Sequence, residues 1–337
     1  MKSYYIYTPF APQSLSIAKL LKENSDCNIF GIAETKSGCS LYNGFVRESD
    51  IDFSNGDNVV VPTGAKSTEQ LLKQRDVNLG SITMKRASLA VYDKIEFLKK
   101  AESCGVPVPK TWLKSSDIKD GEFPVFYKQK QEKGGGVRGV AMKRGDIPQS
   151  QDELIFQTFI NTKGTYGVGF LASDGKLITH FIHYERESIP PQGGSAVVLE
   201  KFNDERLVKY TEMLVEKFNF SGWGLAEFKM NNDKSDFVLM EINAKFWASC
   251  EFAFKNNPVF FKELFDLNIH PQNIDRMVFL DRAWENGVLC LFSTLPSCFN
   301  STVVFQYKSL KRMILLFVPK FLKTLLIRTY KKIKGKK

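Results

Sequence analysis

Two strand-like segments near residue 230 constrain the fold of this chain more than any other feature. Residues 227–230 and 237–243 are mainly apolar, and the polar stretch between them, 232–236, predicts the turn of a β-hairpin. The five residues of that turn set the register of the two strands. In this register Glu227 lies directly opposite Glu241 across the ladder.

The side chains of this hairpin predict a metal site. Successive residues of a strand point to opposite faces of the sheet, so Glu241 and Asn243 share one face while Met240 and Ile242 point to the other. Two carboxylates that face each other repel, and a cation is therefore expected between Glu227 and Glu241. Carboxylate and amide oxygens are ligands that Mg²⁺ prefers, commonly together with the phosphates of a substrate. We predict a Mg-nucleotide site, and the alternative is a surface hairpin with two solvated glutamates.

The positive charge of the chain is concentrated at its C-terminal end. The 337 residues include 47 Lys and Arg and 37 Asp and Glu, but no acidic residue follows Glu285 and 11 of the basic residues lie in 308–337. Residues 1–285 therefore carry a net charge of −1. A neutral body with a basic end argues against a nucleic-acid-binding body.

The cysteines and the first residues predict a cytoplasmic protein. The six cysteines form no C-x-x-C pair, so they indicate neither a zinc site nor a disulfide framework, and they favour a reducing compartment. Residues 1–7 run directly into a strand pattern without the apolar core of a signal peptide.

The pattern of apolar runs divides the chain into three parts. In residues 1–84, short strands alternate with helices, which predicts a small parallel α/β domain, and no G-x-G-x-x-G loop indicates a dinucleotide site there. A strand-rich, antiparallel unit follows over 85–265, with a lid subdomain at about 110–156. The remainder, 266–337, is a C-terminal extension that ends in the basic stretch.

Three features upstream of the hairpin carry charge or glycine. Lys128 ends a strand and precedes Gly134, Gly135 and Gly136, an arrangement in which backbone N–H groups and a lysine approach phosphate oxygens. Taken alone, each feature has an ordinary interpretation. The glycine run is typical of a solvated turn, Lys94 of a solvated helix lysine, and Arg186 of a surface ion pair.

Taken in order, these segments resemble the ATP-grasp superfamily of carboxylate-amine ligases over about residues 85–255. The matching segments are Asp93 with Lys94, 105–109, 123–128 with the glycine loop, 155–160, 190–195, 222–228 and 240–243. The resemblance implies an α/β (α+β ATP-grasp) fold, in which 1–84 is the small N-terminal domain and 85–265 a two-subdomain ATP-grasp unit. It also implies that the protein requires ATP and two Mg²⁺ ions.

The resemblance assigns a role to individual residues. Lys94 and Lys128 hold the phosphates of ATP, and the loop with Gly134, Gly135 and Gly136 closes over them. The adenine meets the backbone of a hinge formed by Gln157, Thr158, Phe159 and Ile160. The metal ligands are Glu227, Glu241 and Asn243. In the chemistry of the family, a substrate carboxylate attacks the γ-phosphate to give an acyl phosphate, and an amine then displaces phosphate to form an amide.

This chain departs from the family pattern at three positions. Thr158 stands in the hinge where related ligases often have Glu, and Thr165 stands where a Glu often meets the ribose. The usual Asn-Pro-Arg is here Asn243-Ala244-Lys245, and a lysine lacks the bidentate fork of an arginine. We therefore expect Lys245 and Arg186 together to stabilise the acyl phosphate.

The basic stretch, 308–337, mixes apolar clusters with its cations. Its longest uncharged run is seven residues, 313–319, far shorter than the ~20 residues of a spanning helix. Apolar clusters with Lys and Arg between them predict an interfacial helix on an anionic bilayer, which puts the protein at the inner face of the membrane. The alternatives are a helix that docks on the core and, less favoured, RNA binding, so no nucleic acid partner is expected.

The sequence thus predicts an ATP-dependent ligase that forms an amide through an acyl phosphate. Its carboxylate belongs to a small molecule or a glycan, and an amino acid is one candidate for the amine. Similar ligases occur in bacterial surface-polysaccharide pathways, which suggests a membrane-associated or polysaccharide precursor as substrate. Two alternatives stay open: an ATP-grasp phosphotransferase acting on a hydroxyl, and a non-catalytic nucleotide-binding membrane adaptor.

Overall fold

A computed structural model describes residues 1–34, 39–130, 137–150, 153–189 and 194–304. Three parts of the sequence predictions lie outside these ranges: the glycine loop with Gly134, Gly135 and Gly136, residues 190–193 of the matching segment 190–195, and the basic stretch 308–337.

The N-terminal part contains the predicted parallel α/β unit. Its sheet has the strand order β3-β2-β1-β4, and each described pair is parallel. Its elements are β1 (Ser3–Ile6), α1 (Pro12–Asn24), β2 (Asn28–Ile32), β3 (Gly44–Val46), β4 (Asn58–Val61) and α2 (Ala65–Leu72). The strand order reverses between β1 and β4, and α1 and α2 both start at this crevice, the usual ligand position of an open α/β sheet.

A two-stranded hairpin and a capped helix lead into the central unit. The hairpin is formed by β5 (Val77–Leu79) and β6 (Ile82–Met84), and a 3-10 helix, Arg86–Tyr92, follows it. Helix α3 (Lys94–Ser103) begins where the Asp93 carboxylate accepts hydrogen bonds from the backbone N–H groups of Ile95 and Glu96, each at 3.1 Å. This cap fixes Lys94 as the first residue of the helix.

The lid is a small antiparallel sheet with a core of its own. Its strands are β7 (Thr111–Trp112), β8 (Val125–Gln129), β9 (Arg138–Ala141) and β10 (Leu154–Thr158), in the order β7-β10-β8-β9. Trp112, Val125 and Phe156 pack together in its interior, separately from the main core. The lid is therefore an independent packing unit that faces the rest of the molecule across a cleft.

The body is built on a seven-stranded sheet in the order β15-β14-β11-β12-β13-β16-β17, in which only the β16–β17 pair is parallel. Its strands are β11 (Thr165–Ser173), β12 (Lys176–Ile189), β13 (Ser195–Lys201), β14 (Gly222–Met230), β15 (Phe237–Asn243), β16 (Arg276–Phe279) and β17 (Ser301–Val304). Its helices are α4 (Glu205–Lys217), α5 (Cys250–Asn256), α6 (Val259–Phe265), α7 (Leu280–Glu285) and α8 (Val288–Thr294). The described part of the C-terminal extension, 266–304, thus adds two strands and two helices to the body.

The hairpin of β14 and β15 pairs Glu227 with Glu241 as predicted, but by a different route. The predicted five-residue turn was one residue too short, because Met230 pairs with Phe237 and the loop has six residues, 231–236. A β-bulge at Met240 takes up the difference and restores the pairing of the two glutamates. The bulge also breaks the alternation, so Met240 lines the same cavity as Glu241 and not the opposite face.

A buried ionic cluster fixes the N-terminal part on the body. The carboxylate of Glu251 on α5 accepts hydrogen bonds from the Ser16 hydroxyl at 2.9 Å and from Lys19 Nζ at 3.3 Å, both on α1. Lys255 Nζ lies 2.8 Å from the same carboxylate. The charge of this buried glutamate is therefore compensated from both sides of the contact.

Candidate active site

Two cavities meet at the paired glutamates. The smaller one, ≈ 230 Å³, lies between the lid and the main sheet, and the larger one, ≈ 390 Å³, extends toward the N-terminal part, where Gln13 and Ala65 at the starts of α1 and α2 line it. Glu185, Glu227 and Glu241 line both cavities. The arrangement offers neighbouring compartments for two substrates, with the carboxylates between them.

The Asn243 amide joins the two carboxylates. Its Nδ2 donates hydrogen bonds to Glu227 Oε2 and to Glu241 Oε1, each at 2.9 Å. A half-turn of the amide group exchanges its nitrogen and its oxygen, which would direct Oδ1 toward the same place. Three oxygens then converge there, and this donor set fits Mg²⁺.

The protonation of the pair also favours a cation. Burial raises the pKa of Glu227 well above its usual value, and the nearby Glu241 and Glu185 carboxylates raise it further. Burial acts to raise the pKa of Glu241 as well, but Lys128, the hydrogen bond with Glu227 and Lys94 together lower it to about 2. The two carboxylates titrate as a pair, and a divalent cation between them would favour the charged form of both.

Two buried lysines from different elements converge on Glu241. Lys94 on α3 and Lys128 on β8 are only 7 % and 5 % exposed. Lys94 Nζ lies 3.9 Å from Glu241 Oε2, and Lys128 Nζ donates a hydrogen bond of 3.4 Å to the Met240 carbonyl. A lysine is rarely buried unless a negative group compensates it, so these cations suit the phosphate end of a nucleotide.

The hinge segment lines the smaller cavity, except for its first residue. Thr158, Phe159 and Ile160 line this cavity together with Thr165. Gln157 is fully buried in the lid, where its Nε2 donates to the Thr111 hydroxyl at 3.1 Å, and it is not among the residues that line the cavity. The structure therefore brings three of the four predicted hinge residues to the cleft.

A lysine that the sequence analysis did not select lies beside Thr165. Lys229 lines the smaller cavity, and its Nζ donates to the carbonyls of Thr162 at 2.8 Å and Gly164 at 2.9 Å. Gly164 has a φ of +73°, and a Cβ there would lie 2.2 Å from the Tyr184 ring, so this turn requires glycine. Strand alternation alone would have identified Lys229, because it lies two residues from Glu227.

Of the two predicted catalytic cations, only Lys245 lies near the carboxylates. It lines the larger cavity, and its charge acts to lower the pKa of Glu227. Arg186 lines neither cavity and instead donates to Glu200 Oε1 at 2.7 Å and to Ser297 Oγ at 2.5 Å. The structure does not bring Arg186 into the cluster.

A different arginine, Arg282, reaches the larger cavity from the C-terminal extension. Its Nη1 donates to the Ala196 carbonyl at 2.6 Å, and its guanidinium carbon lies 3.8 Å from the centroid of the Phe279 ring. Burial lowers the pKa of this guanidinium, while Asp281 and Glu185 act to raise it. An arginine presents five N–H donors in a planar fork, which suits a bidentate contact with a carboxylate in this cavity.

The site has few protein ligands for a metal. Within the described ranges, no group of three or more His, Cys, Asp or Glu side chains is arranged to hold a metal ion. Two carboxylates and one amide leave most of the coordination sphere of Mg²⁺ to other oxygens. This matches the way in which Mg²⁺ usually binds with substrate phosphates.

His183 is part of the core, although a histidine is often a candidate for a catalytic base. It is 1 % exposed, and its Nδ1 has no hydrogen-bond partner in the described part of the chain. Burial lowers its pKa to about 4. The imidazole is therefore neutral at physiological pH and has a structural role.

We expect His183 to make the protein sensitive to acid. Below the unfolded pKa of about 6.5 the unfolded chain takes up a proton that the folded chain refuses, so the free energy of unfolding falls as the pH drops. Between pH 6.5 and pH 4 the expected loss is about 3 kcal/mol. Urea unfolding across this range measures it, with His183→Leu compared with a control at the exposed His270, His270→Leu. If the free energy of unfolding of His183→Leu falls with pH as steeply as that of the wild type, His183 is not the source of the acid sensitivity.

The fold is that of known ATP-grasp enzymes. Biotin carboxylase from Campylobacter jejuni, in a beta-gamma-ATP complex, has a TM-score of 0.58 and 12% identity over 77% of this chain and 70% of its own. An L-amino acid ligase from Bacillus licheniformis has a TM-score of 0.56 and 13% identity over 78% of this chain and 74% of its own. Pyruvate carboxylase from Rhizobium etli has a TM-score of 0.58 and 14% identity over 76% of this chain, which spans 27% of that chain.

The sequence itself matches no protein-family model and no curated protein sequence. At identities this low, the similarity is one of fold. The predicted ATP-grasp fold is confirmed.

Proposed function

We propose that this protein is an ATP-dependent ligase that joins a carboxylate to an amine. The observation that carries the proposal is the cluster of Glu227, Glu241 and Asn243, with the buried Lys94 and Lys128 beside it, at the junction of two cavities. One cavity suits a nucleotide and the other a second substrate. The likeness to enzymes that include a biotin carboxylase solved in a beta-gamma-ATP complex supports the same assignment.

In the proposed complex, ATP occupies the smaller cavity. Its base lies toward Thr158, Phe159 and Ile160, and its phosphates lie toward Lys94 and Lys128. Mg²⁺ would be held by Glu227, Glu241 and Asn243, and when bound it supplies positive charge that offsets the charge on the transferring phosphoryl group. The two lysines add to this charge, so the catalytic contribution of the protein is mainly positioning and electrostatic.

The acid substrate occupies the larger cavity, oriented by Arg282 and Lys245. A carboxylate oxygen of this substrate attacks the γ-phosphorus of ATP, ADP leaves, and an acyl phosphate forms. The nitrogen of the amine then attacks the acyl carbon, a C–N bond forms, and inorganic phosphate leaves. Glu185 lines both cavities, and since burial raises its pKa to about 7, it is suited to accept the proton that the amine releases.

We also propose that the protein works at the inner face of a membrane, on a lipid-linked or polysaccharide precursor, and that the amine comes from an amino acid. The 11 Lys and Arg of residues 308–337, without any Asp or Glu, support attachment to an anionic bilayer. Within the described residues, no helix is both long and apolar enough to cross a membrane.

Hydroxylamine trapping tests the ligase chemistry. The protein is incubated with ATP, Mg²⁺, hydroxylamine and a panel of amino acids and sugar acids, and we expect a hydroxamate with the correct acid because hydroxylamine intercepts an acyl phosphate. Release of ADP with no hydroxamate from any acid would contradict the proposal and indicate phosphoryl transfer to a hydroxyl. Binding of Mg-ATP without any release of ADP would indicate a nucleotide-binding adaptor.

A further inference from the structure

The C-terminal extension presents large apolar side chains to solvent. Leu289 and Phe292 on α8 are 87 % and 63 % exposed, and Phe299 is 79 % exposed. With Leu295 and Val303 they form what we call the apolar patch, which holds five of the twelve exposed large apolar side chains in the described part of the chain. Such clustering differs from the single exposed apolar residues that any surface shows, and it marks an interaction site.

The polarity of this segment is the reverse of that in an ordinary surface helix. The buried side carries polar groups, since Thr294 is 0 % and Ser297 5 % exposed. The Thr294 hydroxyl donates to the Cys290 carbonyl at 2.8 Å, and Ser297 accepts its hydrogen bond from Arg186. The Arg186 contact joins this segment to β12, and Cys290 and Cys298 pack on the apolar cluster of Val197, Val198, Val278 and Ala283. The inner face is thus occupied, and the large apolar side chains point outward.

The charges of the sequence that follows the apolar patch argue for the kind of partner it binds. Residues 286–307 contain no charged side chain, and residues 308–337, which follow directly, contain 11 Lys and Arg and no acid. Outward apolar side chains that are followed in the sequence by a purely cationic segment are typical of a chain that binds an anionic bilayer. We propose that the apolar patch inserts into the headgroup region of an anionic membrane while the cations of 308–337 contact the lipid phosphates.

This inference rests on the proposed membrane attachment and extends it from the basic stretch to the folded body. It also orients the enzyme. Helix α7 packs on α8 and carries Arg282 into the larger cavity. Docking through the apolar patch would therefore hold α7, and with it Arg282, close to the membrane and to the proposed lipid-linked substrate.

Vesicle binding by the full chain tests the proposal. The probes are vesicles of phosphatidylcholine alone and with phosphatidylglycerol, at low and high salt. We expect binding to the anionic vesicles, and a loss of about tenfold or more in the variant Leu289→Ser, Phe292→Ser, Phe299→Ser. The matched control replaces exposed apolar residues of the lid, Leu113→Ser with Met142→Ser, and should bind like the wild type.

A second variant reports on insertion directly. In Phe292→Trp, the added indole should be quenched by lipids with brominated acyl chains, beyond the quenching of the wild-type tryptophans. Equal binding of wild type and the triple serine variant would overturn the proposal, because 308–337 alone would then attach the protein. Absence of binding would also overturn it, and dimers lost in the triple variant would then identify a second copy as the partner.

The ligase proposal is tested separately from this surface. The triple serine variant should convert soluble substrates at the wild-type rate, because its substitutions line neither cavity. A wild type that binds vesicles through the apolar patch but never yields a hydroxamate would contradict the ligase proposal alone.

Discussion

Glu241→Gln is expected to lower turnover by roughly 10³-fold or more. Glutamine keeps the shape of the side chain and one oxygen, but it removes the negative charge on which Lys94, Lys128 and the proposed Mg²⁺ converge. Without that charge the two buried lysines lose a negative neighbour and the metal loses a ligand, so the γ-phosphate is no longer positioned. The measurement is ADP release with the substrate pair that gives the highest rate, together with Mg²⁺-dependent nucleotide binding by calorimetry.

Glu200→Gln is the matched control for this substitution. Glu200 also carries two ionic contacts, to Arg186 and Arg276, but it lines neither cavity. We expect nearly unchanged turnover in this variant. Thermal unfolding of both variants separates loss of function from loss of structure. Turnover of Glu241→Gln within tenfold of the wild type, with intact Mg²⁺ dependence, would remove the metal assignment.

The sequence correctly predicted that Glu227 pairs with Glu241, but it did not predict the length of the turn or the bulge in β15. Hydrophobic alternation and a turn signal were enough to pair Glu227 with Glu241. The turn is nevertheless one residue longer, and the bulge at Met240 compensates. Bulges arise from the fit of a strand to its neighbours in the sheet, and β14 is fixed on its other side by β11. No residue within the hairpin carries that information, so its sequence alone could not give it.

Arg186, predicted as a catalytic cation together with Lys245, lies outside both cavities for a local reason. Arg186 is the extra residue of a β-bulge in β12, because Glu185 pairs with Leu199 and Glu187 pairs with Val198. The structure turns Glu185 inward and Arg186 toward Glu200 and Ser297. Arg282 reaches the cavity because β16 pairs with β13, a contact between distant parts of the chain. Such pairing leaves no local signal, and Arg282 lies outside the segment that resembles the ATP-grasp superfamily.

Arg282→Gln should raise the KM for the carboxylate substrate by about tenfold to hundredfold while leaving the KM for ATP nearly unchanged. A charged hydrogen bond to a carboxylate contributes about 1.5–3 kcal/mol, and glutamine cannot replace its charge. Arg282 lines only the cavity assigned to the acid, which is why the effect should be confined to that substrate. Arg282→Lys keeps the charge but not the planar fork, so its KM for the carboxylate should lie between those of the wild type and Arg282→Gln.

Arg186→Gln decides between the two arginines. Arg186 donates its hydrogen bonds to Glu187, Glu200 and Ser297, away from both cavities, whereas Arg282 lines the larger cavity. We expect its loss to change stability slightly and both KM values very little, because no donor is removed from the acid compartment. A raised carboxylate KM in Arg186→Gln together with an unchanged one in Arg282→Gln would show that the sequence, and not the cavity geometry, identified the residue that binds the acid.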